Sequence, residues 1–211
     1  MTVTPDEFWD RIAPRYSKQA ISDPESYARK LETTQALMRA DMTVLELGCG
    51  TGSTALAHAA HVAHIEATDV SGTMLDIGRQ RAAQADVSNV CFVQSSVESY
   101  ENDSRFDMVL ALNLMHLLPD RRAALAKIHR LLKPGGYFIS STVCLADRLW
   151  YLRPVIPLMQ WLGKAPYVSF VPEKDWLREV AAAGFDSQEH WTHAGRANSV
   201  FLVTTKRQAV S

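Results

Sequence analysis

The 211-residue chain has few cysteines, no excess of charge of either sign and no long uninterrupted apolar run. Its three cysteines, Cys49, Cys91 and Cys144, stand more than forty residues apart. An odd, widely spaced set without C-x-x-C argues against a disulfide scaffold and against zinc, so no metal is expected. Lys and Arg number 22 against 23 Asp and Glu, a formal net charge of −1. Such a balance gives no global field to gather polyanions, and neither duplex nucleic acid nor an anionic membrane surface is expected as the main partner. The most apolar late stretch, LWYLRPVIPLMQWLG at 149–163, is interrupted by Arg153 and two prolines. A spanning helix needs about 20 apolar residues, so no transmembrane segment is expected. Residues 1–20 carry Asp6, Glu7, Asp10 and Arg11 where a signal peptide would need an apolar core, and a cytoplasmic location is the expectation. What remains, 47% hydrophobic and 21% charged residues, fits one globular domain with a small-molecule partner; oligomeric state is not legible.

The order of elements follows from pattern. Thr4-Pro5-Asp6-Glu7 combines a capping residue, a first-turn proline and a glutamate three residues after the cap, which predicts a helix over about 5–18. Asp23-Pro24-Glu25 repeats that logic, and Tyr27, Leu31, Thr34, Leu37 and Met38 at helical spacing carry a second helix to about Arg39. Short β-type runs follow at 43–47, 64–68, 90–94, 106–112 and 137–143, with helices at about 53–60, 71–85 and 120–132, the last closed by Lys133-Pro134-Gly135-Gly136. Alternation of this kind predicts right-handed crossovers and a parallel sheet whose ligands sit at the carboxyl ends of the strands. Beyond 145–171, rich in aromatics and proline, come a helix at about 173–183 and two runs at 185–191 and 199–205 close enough to pair antiparallel.

The most informative stretch is Val44-Leu45-Glu46-Leu47-Gly48-Cys49-Gly50-Thr51-Gly52-Ser53, an apolar strand entering three alternating glycines and then a helix. One glycine would serve a turn; three let a ligand approach the main chain closely. A dinucleotide fingerprint starting at Gly48 needs Gly or Ala at position 53, where Ser53 stands, which argues against a nicotinamide-dependent oxidoreductase. The pattern E-x-G-x-G-x-G instead resembles the first motif of the class I S-adenosylmethionine-dependent methyltransferases, and the resemblance extends over most of the chain. It implies an α/β, Rossmann-like doubly wound sheet of seven strands, mostly parallel with the last antiparallel, under an N-terminal helical cover. The whole chain would be one domain: cover at 1–40, cofactor-binding core at 41–144, substrate-side insertion at 145–171, C-terminal helix and hairpin at 172–211.

The resemblance also implies roles. S-adenosyl-L-methionine would lie against Glu46, Gly48, Cys49, Gly50 and Gly52. Asp69, with Val70 after it, ends the second strand where an acceptor takes both ribose hydroxyls; the bland reading of Asp69 is a helix N-cap. Ser96 stands where the family usually has an acidic residue toward the adenine amino group, followed by Val97, whose N–H would meet the ring. Backbone at Ala111 and Leu112 would lie near the methionine end. Methyl transfer from a sulfonium asks the protein mainly to align the acceptor and exclude water, which accounts for the absence of a catalytic triad. A hydroxyl or amine acceptor also loses a proton, and His116, past the fourth strand, and Tyr16 are the catalytic candidates. Tyr27, Asn113, Trp150 and Tyr151 are candidates for a pocket holding a small-molecule acceptor, for which a bulky apolar or aromatic compound would suit the aromatic 149–171 segment. A non-catalytic module binding the same cofactor is the alternative. His58, His61 and His64 are expected at the surface, and Arg121, Arg122, Lys127, Arg130 and Lys133 on a solvated helix face.

Overall fold

The computed structural model describes residues 3–147, 149–194 and 198–208. They fall into two compact units, one over Thr4–Tyr100 and one from Glu101 onward. Seven strands are present among the described residues, in the order 90–94, 64–69 and 43–47 in the first unit and 106–112, 132–144, 198–206 and 185–194 in the second.

The first unit holds α1 (Pro5–Tyr16), α2 (Pro24–Gln35), β1 (Thr43–Leu47), α3 (Ser53–His58), β2 (His64–Asp69), α4 (Gly72–Gln84) and β3 (Val90–Gln94). The start of α1 is as its sequence dictates: the Thr4 N–H donates to Glu7 Oε2 at 3.0 Å. Asp23 likewise accepts from the Ser26 N–H at 3.0 Å to start α2, which ends at Gln35, four residues short of the expected Arg39. Strands β1 and β2 pair in parallel from Thr43↔His64 to Leu47↔Thr68, and β2 and β3 from Ile65↔Val90 to Asp69↔Gln94. This register brings the glycine loop after Leu47, Asp69 and the Gln94-Ser95-Ser96 turn to one end of the three strands. Val44, Leu45, Leu47, Ile65 and Ala67 are fully or almost fully buried, the mark of parallel strands covered on both faces.

The second unit holds β4 (Phe106–Leu112), α5 (Arg121–Leu131), β5 (Leu132–Cys144), α6 (Val155–Trp161), α7 (Glu173–Ala182), β6 (Phe185–Ala194) and β7 (Asn198–Lys206). Strand β5 is parallel to β4, and β7, the last in the chain, is antiparallel to both β5 and β6. The hairpin from β6 to β7 is present; its connecting residues 195–197 lie outside the described residues. Three expectations are corrected here. Lys133 to Gly136 do not merely close a helix: the strand begins at Leu132, and the register breaks between Phe106↔Leu132 and Met108↔Tyr137, so the excess residues bulge out. The 145–171 stretch has regular structure, with 3-10 turns at Leu145–Asp147 and Trp150–Leu152 followed by α6. Finally, the basic residues around α5 are not a uniformly solvated face. Arg121 Nε lies 3.0 Å from Glu179 Oε2, Lys127 Nζ 2.9 Å from Glu101 and Lys133 Nζ 2.8 Å from Asp107. Long side chains here bury their stems and carry the charge to a carboxylate.

His58 is also corrected. It closes α3 with no exposed surface, and neither ring nitrogen has a hydrogen-bond partner. Burial, with His61 nearby, pulls its pKa down to about 4. A histidine held neutral by folding binds its proton more readily once unfolded. Its contribution is therefore intact above the ordinary value near 6.5 and is lost as pH falls toward 4. A shift of that size is worth about 3 kcal/mol. Urea unfolding of wild type is expected to weaken steeply between pH 6.5 and 4. His58→Leu, which removes two unsatisfied buried nitrogens, is expected to raise stability and flatten that slope; an unchanged slope would contradict this assignment.

Candidate functional site

The first unit builds its site from the loop between β1 and α3. Gly48, Gly50 and Gly52 all have positive φ, but two of them need glycine for different reasons. At Gly52 a Cβ would stand 2.7 Å from Phe92 Cε1, so the fold itself forbids a side chain. At Gly50, φ is +54° and a Cβ would meet nothing within 4 Å. The space in front of the loop at Gly50 is open, which is the condition for a ligand to lie against the main chain.

Asp69 organises this loop. Its Oδ2 accepts the Gly50 N–H at 2.8 Å and its Oδ1 the Ser71 N–H at 2.9 Å. Each oxygen keeps a further lone pair for an outside donor. Burial raises the Asp69 pKa, while the N–H groups of Ser71 and Gly50 oppose that rise. Behind the loop, Glu46 is buried, has Oε2 without a partner, and has its pKa pushed up to about 8 by burial and then by the Asp69 charge. Cys49 is buried beside the two carboxylates, and burial carries its thiol well above the ordinary range, which removes it as a nucleophile.

Sequence reasoning missed the groups that fasten α1 to this loop. Asp10 Oδ1 accepts the Ser71 hydroxyl at 2.5 Å and the Thr73 N–H at 3.0 Å, at the N-terminus of α4. These bonds hold the Asp10 carboxyl below its usual range. One turn from the other end of α4, Arg81 donates from Nη1 to Thr51 Oγ1 at 2.8 Å and Ser53 Oγ at 3.0 Å, and from Nη2 to the Ser17 carbonyl at 2.8 Å. One guanidinium thus joins the glycine loop to the end of α1. No motif marks Asp10 or Arg81; only the fold brings them to partners 28 to 64 residues away in sequence. Tyr16, at the end of α1, is 48% exposed, and burial of its hydroxyl and the Asp69 charge raise its pKa. A phenol held in its protonated form is a donor and not a base at neutral pH. Tyr27 is half-buried on α2.

A cavity of about 280 Å³ opens just past the ends of β2 and β3, lined by Pro5, Asp6, Val70, Gln94, Ser95 and Ser96. Gln94 Nε2 donates to the Val70 carbonyl at 3.0 Å, and the Ser95 N–H to the Asp69 carbonyl at 3.0 Å. Ser96 is half-buried and exchanges bonds with Ser99, while the Val97 side chain is buried beneath.

In the second unit Ala111 is buried and Leu112 half-buried at the carboxyl end of β4, and Asn113 follows at φ +58°. That left-handed conformation suits asparagine better than most residues. The Asn113 N–H donates to the Ser141 carbonyl at 2.7 Å, and its Oδ1 accepts the Ser141 hydroxyl at 3.3 Å. His116 lies on the next turn, its pKa lowered to about 4 by burial. Its Nδ1 accepts the Val143 N–H at 3.4 Å. The neutral ring therefore carries its proton on Nε2, so His116 offers a donor and not the lone pair that a general base needs. Trp150 and Tyr151 form an edge-to-face pair at 6.4 Å on an exposed turn. Among the described residues no His, Cys, Asp and Glu cluster could hold a metal ion, and no helix is long and apolar enough to cross a membrane.

A family model described as a methyltransferase domain matches residues 44–136. A ubiquinone biosynthesis O-methyltransferase of Serratia proteamaculans is 32% identical over 117 residues, 54% of this chain and 48% of its own length. The chain thus spans about half of that relative. It spans the whole of a demethylmenaquinone methyltransferase of Listeria monocytogenes, 29% identical over 240 residues, 99% of this chain and 100% of that one. The N-methyltransferase NodS of Bradyrhizobium japonicum, solved with S-adenosyl-L-homocysteine, shares the fold: TM-score 0.67 at 15% identity, over 94% of this chain and 98% of that one.

Proposed function

Starting from a chain that belongs to the class I S-adenosylmethionine-dependent methyltransferases and methylates a small molecule, we propose that its acceptor is a hydroxylated or quinoid aromatic ring. The observation that carries this reading is the full-length similarity to a demethylmenaquinone methyltransferase; the aromatic 149–171 segment supports it. The balanced charge supports a small acceptor over nucleic acid.

The residues fit S-adenosyl-L-methionine. When bound, it supplies a methyl group already activated by a positive sulfur. Gly50 leaves the main chain open to it, with Gly48, Cys49 and Gly52 shaping the loop. Asp69 offers its free lone pairs to the ribose hydroxyls, and the cavity from Val70 to Ser96, with Val97 below, takes the adenine ring. Ser96 offers a hydroxyl where the family usually places a carboxylate, and Asp6 also lines the cavity. The unpartnered Oε2 of Glu46 gives the loop a polar floor. Ala111, Leu112 and Asn113 remain the candidates in the second unit, with Tyr27, Trp150 and Tyr151 toward the acceptor. Neither His116 nor Tyr16 is poised as a base, so alignment and exclusion of water carry the rate.

Arg81 acts here as a positioning residue. Arg81→Ala is expected to weaken adenosylhomocysteine binding about tenfold, the size of a typical coupling between linked elements. Hydrogen exchange over residues 5–17 should rise in the same variant. Arg81→Lys should restore little, because an ammonium cannot span the three acceptors. Unchanged affinity with faster exchange would make Arg81 a structural staple only.

Adenosylhomocysteine formation, followed with demethylmenaquinone in reduced form, a simple phenol, an aliphatic amine and a carboxylate, tests the acceptor class. Turnover confined to the aromatic compounds is the expected result. Turnover with the amine or carboxylate alone would overturn it.

A further inference from the structure

Eight of the eleven exposed large apolar side chains among the described residues lie in the segment after β5. Trp150 is 67% exposed and Trp161 72%, and Tyr151, Val155, Leu158, Met159, Leu162 and Tyr167 are also exposed. Neither the Trp150–Leu152 turn nor α6 contains a single buried residue, so nothing among the described residues covers them fully. Scattered exposed apolar residues are ordinary; eight within eighteen positions form a patch that marks an interaction surface.

Charge in this segment is segregated in a way the balanced total conceals. Between positions 149 and 172 the only charged residues are Arg153 and Lys164, both basic and both exposed, in a chain of net charge −1. The acidic residues stand at the base: Asp147 Oδ2 accepts the Glu173 N–H at 3.0 Å, and Glu173 Oε1 accepts the Thr192 hydroxyl at 2.9 Å. The segment is also built to hold its shape. Gln160 Nε2 donates to the Pro166 carbonyl at 3.0 Å, the Lys164 N–H to the Met159 carbonyl at 2.8 Å, and the Ser169 N–H to the His116 carbonyl at 2.8 Å.

Exposed tryptophan and tyrosine, aliphatic side chains on a short helix and flanking cations without acids are the chemistry of the headgroup region of a bilayer. A seven-residue helix rises only about 10 Å, enough to lie at that depth and too short to cross. We propose that the 149–167 segment docks the protein on the surface of an anionic lipid bilayer. The reading as an enzyme of apolar aromatic rings supplies the reason, since such acceptors partition into bilayers, and the expectation drawn from net charge alone is thereby reversed for this one segment.

Cosedimentation of the full chain with vesicles tests this without any acceptor. Wild type is expected to bind vesicles containing phosphatidylglycerol, and roughly twentyfold more weakly vesicles of phosphatidylcholine alone, at about fivefold per basic residue. The double variant Leu158→Ser with Trp161→Ser should lose binding to both. Arg153→Gln with Lys164→Gln should keep residual binding and lose the preference. Adenosylhomocysteine affinity should be unchanged in both variants, which reports an intact fold. Absence of wild-type binding to either vesicle, or equal binding by the Leu158/Trp161 variant, overturns the proposal. So does a wild-type dimer in sedimentation velocity that the Leu158/Trp161 variant abolishes while wild type binds no vesicle, because a second copy is then the occupant. Failure of the acceptor reading would appear separately, as vesicle binding without methylation of aromatic compounds.

Discussion

Asp69→Ala is expected to weaken adenosylhomocysteine binding by a hundredfold or more. The carboxylate does two things at once in this structure. It holds the Gly50 and Ser71 N–H groups at 2.8 and 2.9 Å, and it keeps lone pairs for the ribose hydroxyls of the cofactor. Hydrogen bonds to a charged acceptor are worth about 1.5–3 kcal/mol each, so losing two costs at least about a hundredfold in affinity. Asp69→Asn should fall between wild type and alanine, since one oxygen remains to hold an amide. Burial raises the Asp69 pKa, so wild-type affinity should fall on acidification at a higher pH than an exposed aspartate would give. Equilibrium dialysis across a pH series reads both effects. Affinity within threefold of wild type in Asp69→Ala would remove Asp69 from the site.

The two glycines that flank Thr51 should separate stability from binding. Gly52→Ala places a methyl group 2.7 Å from Phe92 Cε1 at φ +72°. Left-handed strain of about 1–2 kcal/mol adds to overpacking of about 1–3 kcal/mol. At roughly 2–4 °C per kcal/mol for a chain of this size, Tm should drop by about 10 °C. Gly50→Ala carries the strain without the clash, because its Cβ meets nothing within 4 Å. Its Tm should fall by only a few degrees, yet cofactor affinity should fall well over tenfold, since the methyl group occupies the space a ligand must enter. Differential scanning calorimetry and a binding titration on the same samples decide the matter. A Gly50→Ala protein that binds normally would mean that the open face of the loop is not where the ligand lies.

Local pattern made the glycine loop, Asp69 and most element positions legible. The capping signals at Thr4 and Asp23, the β-type runs at 43–47 and 64–68 and the three glycines are all short-range features, and the structure preserves them. Long-range features were not legible. Arg81 looks like any basic residue on an amphipathic helix, and its role comes from acceptors at Ser17, Thr51 and Ser53 that only the packing of α1 on α4 supplies. His58 follows a polar-looking pattern with His61 and His64, yet α3 turns it into the core. Lys133 to Gly136 carry turn residues that follow the end of α5 at Leu131, and the sheet absorbs them as a bulge, which local pattern does not show. The 149–171 segment mixes prolines with aromatics, which hid a seven-residue helix from periodicity. His116 showed its position in the sequence but not its tautomer, which the Val143 N–H determines.

Isothermal titration of the intact chain with adenosylhomocysteine, and in parallel with NADH, tests the central claim most directly. One adenosylhomocysteine per chain, with no detectable heat from NADH, is the predicted result. Saturable binding of NADH at the same loop, or no binding of adenosylhomocysteine by a folded chain, would contradict the account.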